Sequence, residues 1–592
     1  MKNEKTKIVS LREISQREKN IRHSLSHLLA AVVLKKFPDA KLGIGPIIEN
    51  GFYYDFLLPR SLAPEDLKDF EKEIKKLISQ KLSFASKKIT AAEAKKILKD
   101  QPFKLELINE YTKEKRPLSI YKTGDVFIDL CAGGHVKNSD EINPDAFKLT
   151  SIAGAYWRGD EKNPQLQRIY GVAFESKKEL DHYLWQQEEA KKRDHRRLGK
   201  ELDLFYFSDD IGPGLPLFTP KGEIIRHLME SYVREVQTKY GFQHVWTGHL
   251  VKEDLYKKSG HYDNYKDAMF PPMVDNNASF RLKPMNCPSH MTLYNKMGKH
   301  SYRELPLRFA EFATLYRYEK TGELSGLTRV RTLTQDDCHT FCTEEQIESE
   351  FSLDLKVIRE VLNAYQFMNY KVRLSLRGKE EKYVKDDKKW AKAESALRSA
   401  LKANKVDYYE AEGEAAFYGP KADFMAKDIL GREWQLSTIQ VDFIQPGRLN
   451  CVYVAEDGSE KTPVLLHRAV TGTTERFMGI IIEHYAGAFP VWLSPVQVKI
   501  LNITDRNLKY SEKILEKLKK EEIRAELGGE NETIGKKIRE AELEKIPYIL
   551  IVGDKEEKND SVAIRERGKG DLGTMNLEKF IEKIQREIEN KI

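Results

Sequence analysis

The chain has only five cysteines in 592 residues and no paired cysteine pattern. That excludes a disulfide-stapled secreted scaffold and points to a reducing compartment. No apolar run approaches the roughly eighteen residues of a membrane helix, and the opening MKNEKTK is not a signal peptide. There is no internal repeat and no low-complexity tract. Charge of one sign is also scarce: 99 Lys and Arg against 92 Asp and Glu leave a net +7. Such a balance permits a polyanionic partner without requiring one. These absences describe a cytoplasmic chain with no membrane association.

The composition is otherwise that of an ordinary globular protein, 40% apolar and 32% charged, at a length that suggests three to five domains. Residues 1–18 are polar and read as a tail. Residues 19–178 alternate helical and strand-like stretches. SKKELDHYLWQQEEAKKRDHRRLGKEL (176–202) reads as one long charged helix, with residues 179–202 as a linker; its basic run KKRDHRR could touch phosphate or simply face water.

Residues 203–487 form a large region. TRVRTLTQDDCHTF and REWQLSTIQVDFIQ alternate like half-buried strands. RFAEFATLYRYEKTGELSGLTRVRTL predicts a long antiparallel hairpin around a polar, glycine-containing loop. HRAVTGTTERFMGIIIEHY predicts a strand, a turn and a buried helix. Residues 488–592 alternate strands and helices, which predicts a small α/β unit with a largely parallel sheet. The expected class is α+β and multidomain.

Two short stretches carry chemistry. RHSLSH places His23 and His27 four apart in a run with helical spacing, so both can reach one atom. DLCAGGH adds Cys131 and His135 at the end of a strand-like stretch, with glycines that permit a tight turn. Three imidazoles and a thiol are a possible zinc set; two histidines on a helix can equally be coincidence.

The large region resembles the class II aminoacyl-tRNA synthetases. RFAEFATLYRYEKTGELSGLTRVR is similar to their motif 2 and TGTTERFMGIII to motif 3; KPMNCPSH, LTQDDCHTF, FYGPK, WQLSTIQVDF and LLHRAV narrow the resemblance to the threonyl-tRNA synthetase family. ENGFYYDF and FKLTSIAGAYWRGDEKNPQLQRIYGVAF extend it upstream, so it covers nearly the whole chain from about residue 19, in the family's order. The resemblance implies an editing domain at 19–178, a class II catalytic domain with an antiparallel sheet at 203–487, and an α/β anticodon-binding domain at 488–592. It implies ATP-dependent activation of L-threonine, transfer to tRNA(Thr), and hydrolysis of mischarged seryl-tRNA(Thr). Expected partners are tRNA(Thr), threonine, ATP with Mg2+, and a second copy in a homodimer. Weaker alternatives are a stand-alone editing deacylase and a non-catalytic tRNA-binding paralogue; either would be expected to lack part of the residue set below.

Carried over residue by residue, Arg317 and Arg476 grip the ATP phosphates, Glu319 accepts from the adenine amino group and Arg329 lies on the returning strand. Cys287, His339 and His467 match the ligands of one zinc per subunit. Asp337 accepts from the substrate hydroxyl, and Gln335, Tyr418, Lys421, Gln435 and Gln440 line the same pocket. His23, His27, Cys131 and His135, with Asp129 and Lys104, match the editing site, where the resemblance implies water positioning without obligatory zinc. Glu556 and Arg565 match anticodon readers. Three departures stand out: CAGGH replaces the more usual C-x-G-P-H, Gly248 stands where motif 1 usually ends in proline, and the chain starts where the family's ubiquitin-like first domain would end.

Overall fold

The structure is a computed structural model describing residues 15–276, 278–379, 383–529 and 532–592. The chain divides into two compact units, one ending at Glu188 and one beginning at Glu189.

In the first unit, helix Gln16–Lys36 is set by a capping box: the Ser15 hydroxyl accepts from the Glu18 N–H at 3.0 Å, and the Ser15 N–H donates back to the Glu18 carboxylate at 3.1 Å. Leu25, Leu28, Leu29, Val32 and Val33 are buried along it, packing it into the core formed with the sheet. That sheet has the order Lys41–Leu42, Gly51–Leu57, Gln165–Ala173, Phe147–Tyr156, with Ile47–Ile48 also on Gly51–Leu57. A second sheet joins Phe84–Lys88, Ser119–Thr123 and Phe127–Leu130. All pairings in both are antiparallel. Cys131 and His135 follow the last strand of the second sheet and meet the helix that carries His23 and His27.

The connector differs from the single helix expected over 176–202. It is two helices, Lys177–Arg193 and His195–Glu201, broken at Asp194. The Asp194 carboxylate accepts from the Arg196 N–H at 2.8 Å, so a residue that caps helices well interrupts a run that charge pattern alone would continue.

The second unit is built on an eight-stranded sheet in the order Gln243–His244, Leu307–Tyr316, Thr332–Cys342, Val464–Ala469, Glu433–Asp442, Lys421–Lys427, Tyr370–Leu376, Tyr408–Glu412. It is antiparallel except at its two edge pairs. The hairpin expected from the motif 2 stretch is its second and third strands. Register fixes the site. Phe309, His339, His467, Gln440 and Lys421 lie opposite one another on successive strands, and residues directly opposite share a face. The residues near in space are thus far apart in sequence. Helices Ile347–Ala364 and Thr474–Tyr485 bury Phe351, Leu355, Ile358, Phe477 and Ile481 in the main core.

The C-terminal sheet is mixed where strand–helix alternation predicts a largely parallel one. Its order is Ala525–Leu527, Val498–Asn502, Tyr548–Val552, Ser561–Glu566, Gly570–Asn576; the first two pairings are parallel and the last two antiparallel. The final strands form a hairpin, which needs no crossover helix.

Candidate functional sites

Cys287, His339 and His467 are all buried, and their ligating atoms lie within 4.8 Å of one another. The tautomers follow from their neighbours. Glu311 is a carboxylate: burial opposes its charge, but hydrogen bonds from His290, Asn286 and the Thr247 N–H hold it down at about 2. A carboxylate only accepts, so His290, with Nε2 3.0 Å from Glu311, carries its proton there. Its Nδ1 then accepts from the Nδ1–H of His339 at 2.8 Å. His467 Nε2 stands 3.1 Å from Asp442 and donates to it. The remaining lone pairs, on His339 Nε2 and His467 Nδ1, face each other at 3.0 Å. Two facing lone pairs beside a thiol suit a shared cation, and two ring nitrogens with one sulfur, the imidazoles held from behind, suit zinc. These residues fit the metal.

The cavity beside them is lined by Gln335, Asp337, Tyr418 and Gln440 as well as the three ligands. Burial raises Asp337 to about 6. The Tyr418 hydroxyl donates to Gln440 at 2.7 Å, and its ring stacks on His467 with centroids 5.0 Å apart. Lys421 and Gln435 do not line this cavity. Both turn to the buried carboxylate of Asp423, at 3.2 and 2.8 Å. Gln435 sits five residues along the strand from Gln440, beyond reach of the row that holds the ligands.

Arg317 and Arg476 are half-buried, and neither has an ion-pair partner among the described residues. The Arg317 guanidinium lies 3.8 Å from the Met285 sulfur, and that of Arg476 lies 5.8 Å from the Trp434 ring centroid. Cations without a contact ion pair in partly dry surroundings suit an anionic ligand. Glu319 and Arg329 pair with each other at 2.8 Å.

Sequence reading misses His261, His290, Glu311 and Asp442. His261 Nε2 lies 3.4 Å from the Cys287 sulfur, Nδ1 lies 2.8 Å from Ser259 Oγ, and burial lowers its pKa to about 3. The only available signal is proximity: His290 is three residues after Cys287, a spacing that puts both on one helix face.

In the first unit, His23, His27, Cys131 and His135 also bring ligand-type atoms within 4.8 Å. The Cys131 sulfur lies 3.5 Å from His23 Nε2 and 3.2 Å from His135 Nε2. Burial lowers all three imidazoles, His135 to about 2, and raises the Cys131 thiol to about 11. Their outward nitrogens differ from those of the other cluster. His135 Nδ1 meets the Ser24 hydroxyl at 3.1 Å, His27 Nδ1 has no hydrogen-bond partner, and His23 meets the backbone of Gly133 and Gly134. Asp129, the nearby buried carboxylate, is engaged elsewhere, by Lys104 at 2.6 Å and the Tyr54 hydroxyl at 2.5 Å. Gly133 and Gly134 have φ of +110° and +90°, values that bar a proline.

Glu556 accepts from the Gly553 N–H at 3.0 Å as part of a helix start. Arg565, on strand Ser561–Glu566, reaches Glu542 at 3.7 Å while its Nε has no partner. No helix among the described residues is long and apolar enough to cross a membrane.

Residues 270–485 match the tRNA synthetase class II core domain (G, H, P, S and T), 497–587 the anticodon binding domain, and 118–170 the threonyl and alanyl tRNA synthetase second additional domain. A threonine–tRNA ligase of Rubrobacter xylanophilus is 58% identical over 96% of this chain and 88% of its own length. One from Gloeobacter violaceus is 50% identical, covering 96% and 92%. The RNA-binding domain of a threonyl-tRNA synthetase from Cryptosporidium parvum Iowa II, a crystal structure, superposes with a TM-score of 0.64 at 36% identity, over 66% of this chain and 98% of that one. The chain belongs to the threonyl-tRNA synthetase family, with a class II core, an editing domain and an anticodon-binding domain.

Proposed function

We propose that the second unit activates L-threonine at the Cys287–His339–His467 cavity and passes it to tRNA(Thr), and that the first unit hydrolyses seryl-tRNA(Thr). The threonine carboxylate attacks the α-phosphorus of ATP and pyrophosphate leaves. A hydroxyl of the tRNA terminal ribose then attacks the carbonyl carbon and AMP leaves. These steps need positioned cations more than acid–base work. Arg317 and Arg476 supply them, with Mg2+ arriving on ATP. The single observation that carries this reading is the pair of free lone pairs on His339 and His467, fixed from behind by His290–Glu311 and Asp442, opening onto the cavity that Asp337 lines.

Cys287 Sγ, His339 Nε2 and His467 Nδ1 would hold one zinc. When bound, zinc supplies a Lewis-acidic position for the amino and hydroxyl groups of threonine. Asp337 accepts from the same hydroxyl. A site built around a hydroxyl rejects valine by roughly 10⁴-fold or more, whereas serine, lacking one methyl, differs by only roughly 10- to 200-fold. Serine therefore passes the first check.

The editing cluster supplies the second. Neutral His23, His27 and His135 orient a water whose oxygen attacks the seryl carbonyl. The ester bond breaks and the ribose oxygen takes the proton. The pairing of Asp129 with Lys104 keeps that carboxylate off the imidazoles. Glu556 and Arg565 lie on neighbouring elements of the C-terminal domain and are proposed to read the anticodon, where arginine can pair bidentately with guanine. Four exposed apolar side chains, Trp246, Leu250, Met273 and Val274, lie on or beside one three-stranded sheet next to the motif 1 segment, which supports a homodimer through that face. A cytoplasmic location is consistent with the cysteine usage.

Pyrophosphate exchange tests the activation half. It should run with threonine and serine and not with valine; exchange with valine comparable to serine would sink the hydroxyl-based reading. His135→Ala should leave exchange intact and let seryl-tRNA(Thr) accumulate, and unimpaired clearance in that variant would sink the editing assignment.

A further inference from the structure

His195, the first residue after the break in the connector, is buried although it belongs to the basic run KKRDHRR. Both its ring nitrogens are occupied. Nδ1 lies 2.6 Å from a Glu483 oxygen that also accepts the His195 N–H at 3.1 Å. The other Glu483 oxygen pairs with Arg432 at 2.5 Å. Nε2 lies 3.0 Å from the Leu327 amide nitrogen. A nitrogen that accepts an N–H must carry a lone pair, so the ring is neutral, with its proton on Nδ1 donated to Glu483. The contacts leave no lone pair for a metal.

The two partners belong to different halves of the ATP site. Glu483 is on helix Thr474–Tyr485, which carries Arg476. Leu327 is in the 3-10 turn Gly326–Thr328, within the loop between Arg317 and Arg329. The turn is closed on itself by the Ser325 and Arg329 backbones, at 3.2 and 3.3 Å. Arg329 extends from it to Glu319 and Glu323, at 2.8 and 3.2 Å. The Leu327 side chain is fully buried, so without His195 its amide would be a buried donor with no acceptor. Gly326 has φ +49°, and a Cβ there would collide with His195 Nε2. Only glycine lets the turn sit against the ring.

We infer that His195 is a positioning residue for ATP use: one neutral imidazole from the connector ties the motif 2 loop to the motif 3 helix, and sets where Glu319 and Arg329 stand relative to Arg476. The inference rests on reading those residues as ATP contacts.

The test is pyrophosphate exchange per titrated active site, in the full-length protein, for His195→Ala, His195→Asn, His195→Gln and Gly326→Ala. Losing the Leu327 acceptor should raise KM for ATP roughly 10-fold, with KM for threonine within about twofold and zinc retention unchanged. Asparagine can keep the Glu483 contact but not reach Leu327, so it should behave like alanine. Glutamine can place its amide oxygen where Nε2 stands and should recover most of the loss. Gly326→Ala should reproduce the alanine result from the other side of the contact. An unchanged ATP KM in His195→Asn, or ATP and threonine KM rising together with loss of zinc, would overturn the inference. If the His195 variants do not fold, an unchanged ATP KM in Gly326→Ala overturns it equally. Arg317→Ala is measured alongside. If that variant also leaves ATP use untouched, the reading of the loop has failed rather than the role of His195.

Discussion

His339 and His467 each donate an N–H to a partner backed by, or itself, a carboxylate, while His23, His27 and His135 face a backbone turn, no partner and a hydroxyl. The donor types are the same and the inter-donor distances are similar. A metal-ligating imidazole ordinarily donates its second N–H to a carboxylate, carbonyl or water, which fixes the ring and raises its basicity. In the second unit that outer shell is complete: Glu311 and Asp442 face the imidazole layer. In the first unit the equivalent carboxylate, Asp129, is neutralised by Lys104. A cluster of nitrogen and sulfur donors alone therefore does not identify a metal site; the groups behind the ligands do.

The largest effect that could overturn this contrast is on zinc content. The intact protein should hold one tightly bound zinc per chain, and Cys287→Ser none, with threonine-dependent exchange falling by more than the roughly 100-fold expected from disturbing an outer partner alone. A second zinc that survives Cys287→Ser, measured by elemental analysis, would make the first cluster a metal site too. Next, Asp442→Asn should weaken zinc retention roughly 10- to 100-fold in chelator competition, while Asp129→Asn leaves it untouched.

The smallest effect is acid sensitivity of the first unit. His135 has a folded value of about 2, below its free value of about 6.5. Below that free value the unfolded chain binds a proton that the fold excludes. The contribution of neutral His135 is therefore complete above about pH 6.5 and is lost progressively as pH falls from there toward about 2. By pH 5 the loss should be about 1–2 kcal/mol after allowance for partial exposure. Denaturant unfolding at pH 7 and 5 should show a larger loss of stability in the intact chain than in His135→Ala, where only the other buried imidazoles remain to exclude protons; equal pH dependence in both would remove His135 as a cause.

Periodicity makes some of this legible. Strand Glu433–Asp442 alternates buried and half-buried positions over Ser437–Val441, but Thr332–Cys342, read as half-buried, is buried throughout Asp336–Cys342 because it lies inside the sheet with both faces covered. Cys287, His339 and His467 can be named only by resemblance, since strand register joins His339 to His467, 128 residues on, and tertiary packing brings to them the start of a helix 52 residues before His339. The outer shell is invisible for the same reason: His290, Glu311 and Asp442 carry no periodic signal of their own. The connector reads as one helix because charge pattern is continuous through KKRDHRR, while the break depends on one aspartate side chain. Gln435 groups with Gln440 because strand neighbours look equivalent in sequence, although five residues put them well apart along the sheet.

The left-handed turn at Gly133 and Gly134 has a consequence for anyone engineering this chain. Borrowing the commonest residue from relatives is a usual route to a sturdier protein, and here it would suggest installing proline at position 134. Gly134 has φ +90°, and the pyrrolidine ring holds φ near about −65°. The swap would force the loop to refold beneath His135, so the residue that lends rigidity elsewhere would act here as an incompatible spare part. Any consensus redesign has to treat residues 131–135 as one inherited block, exchanged together with the helix face they touch or left alone.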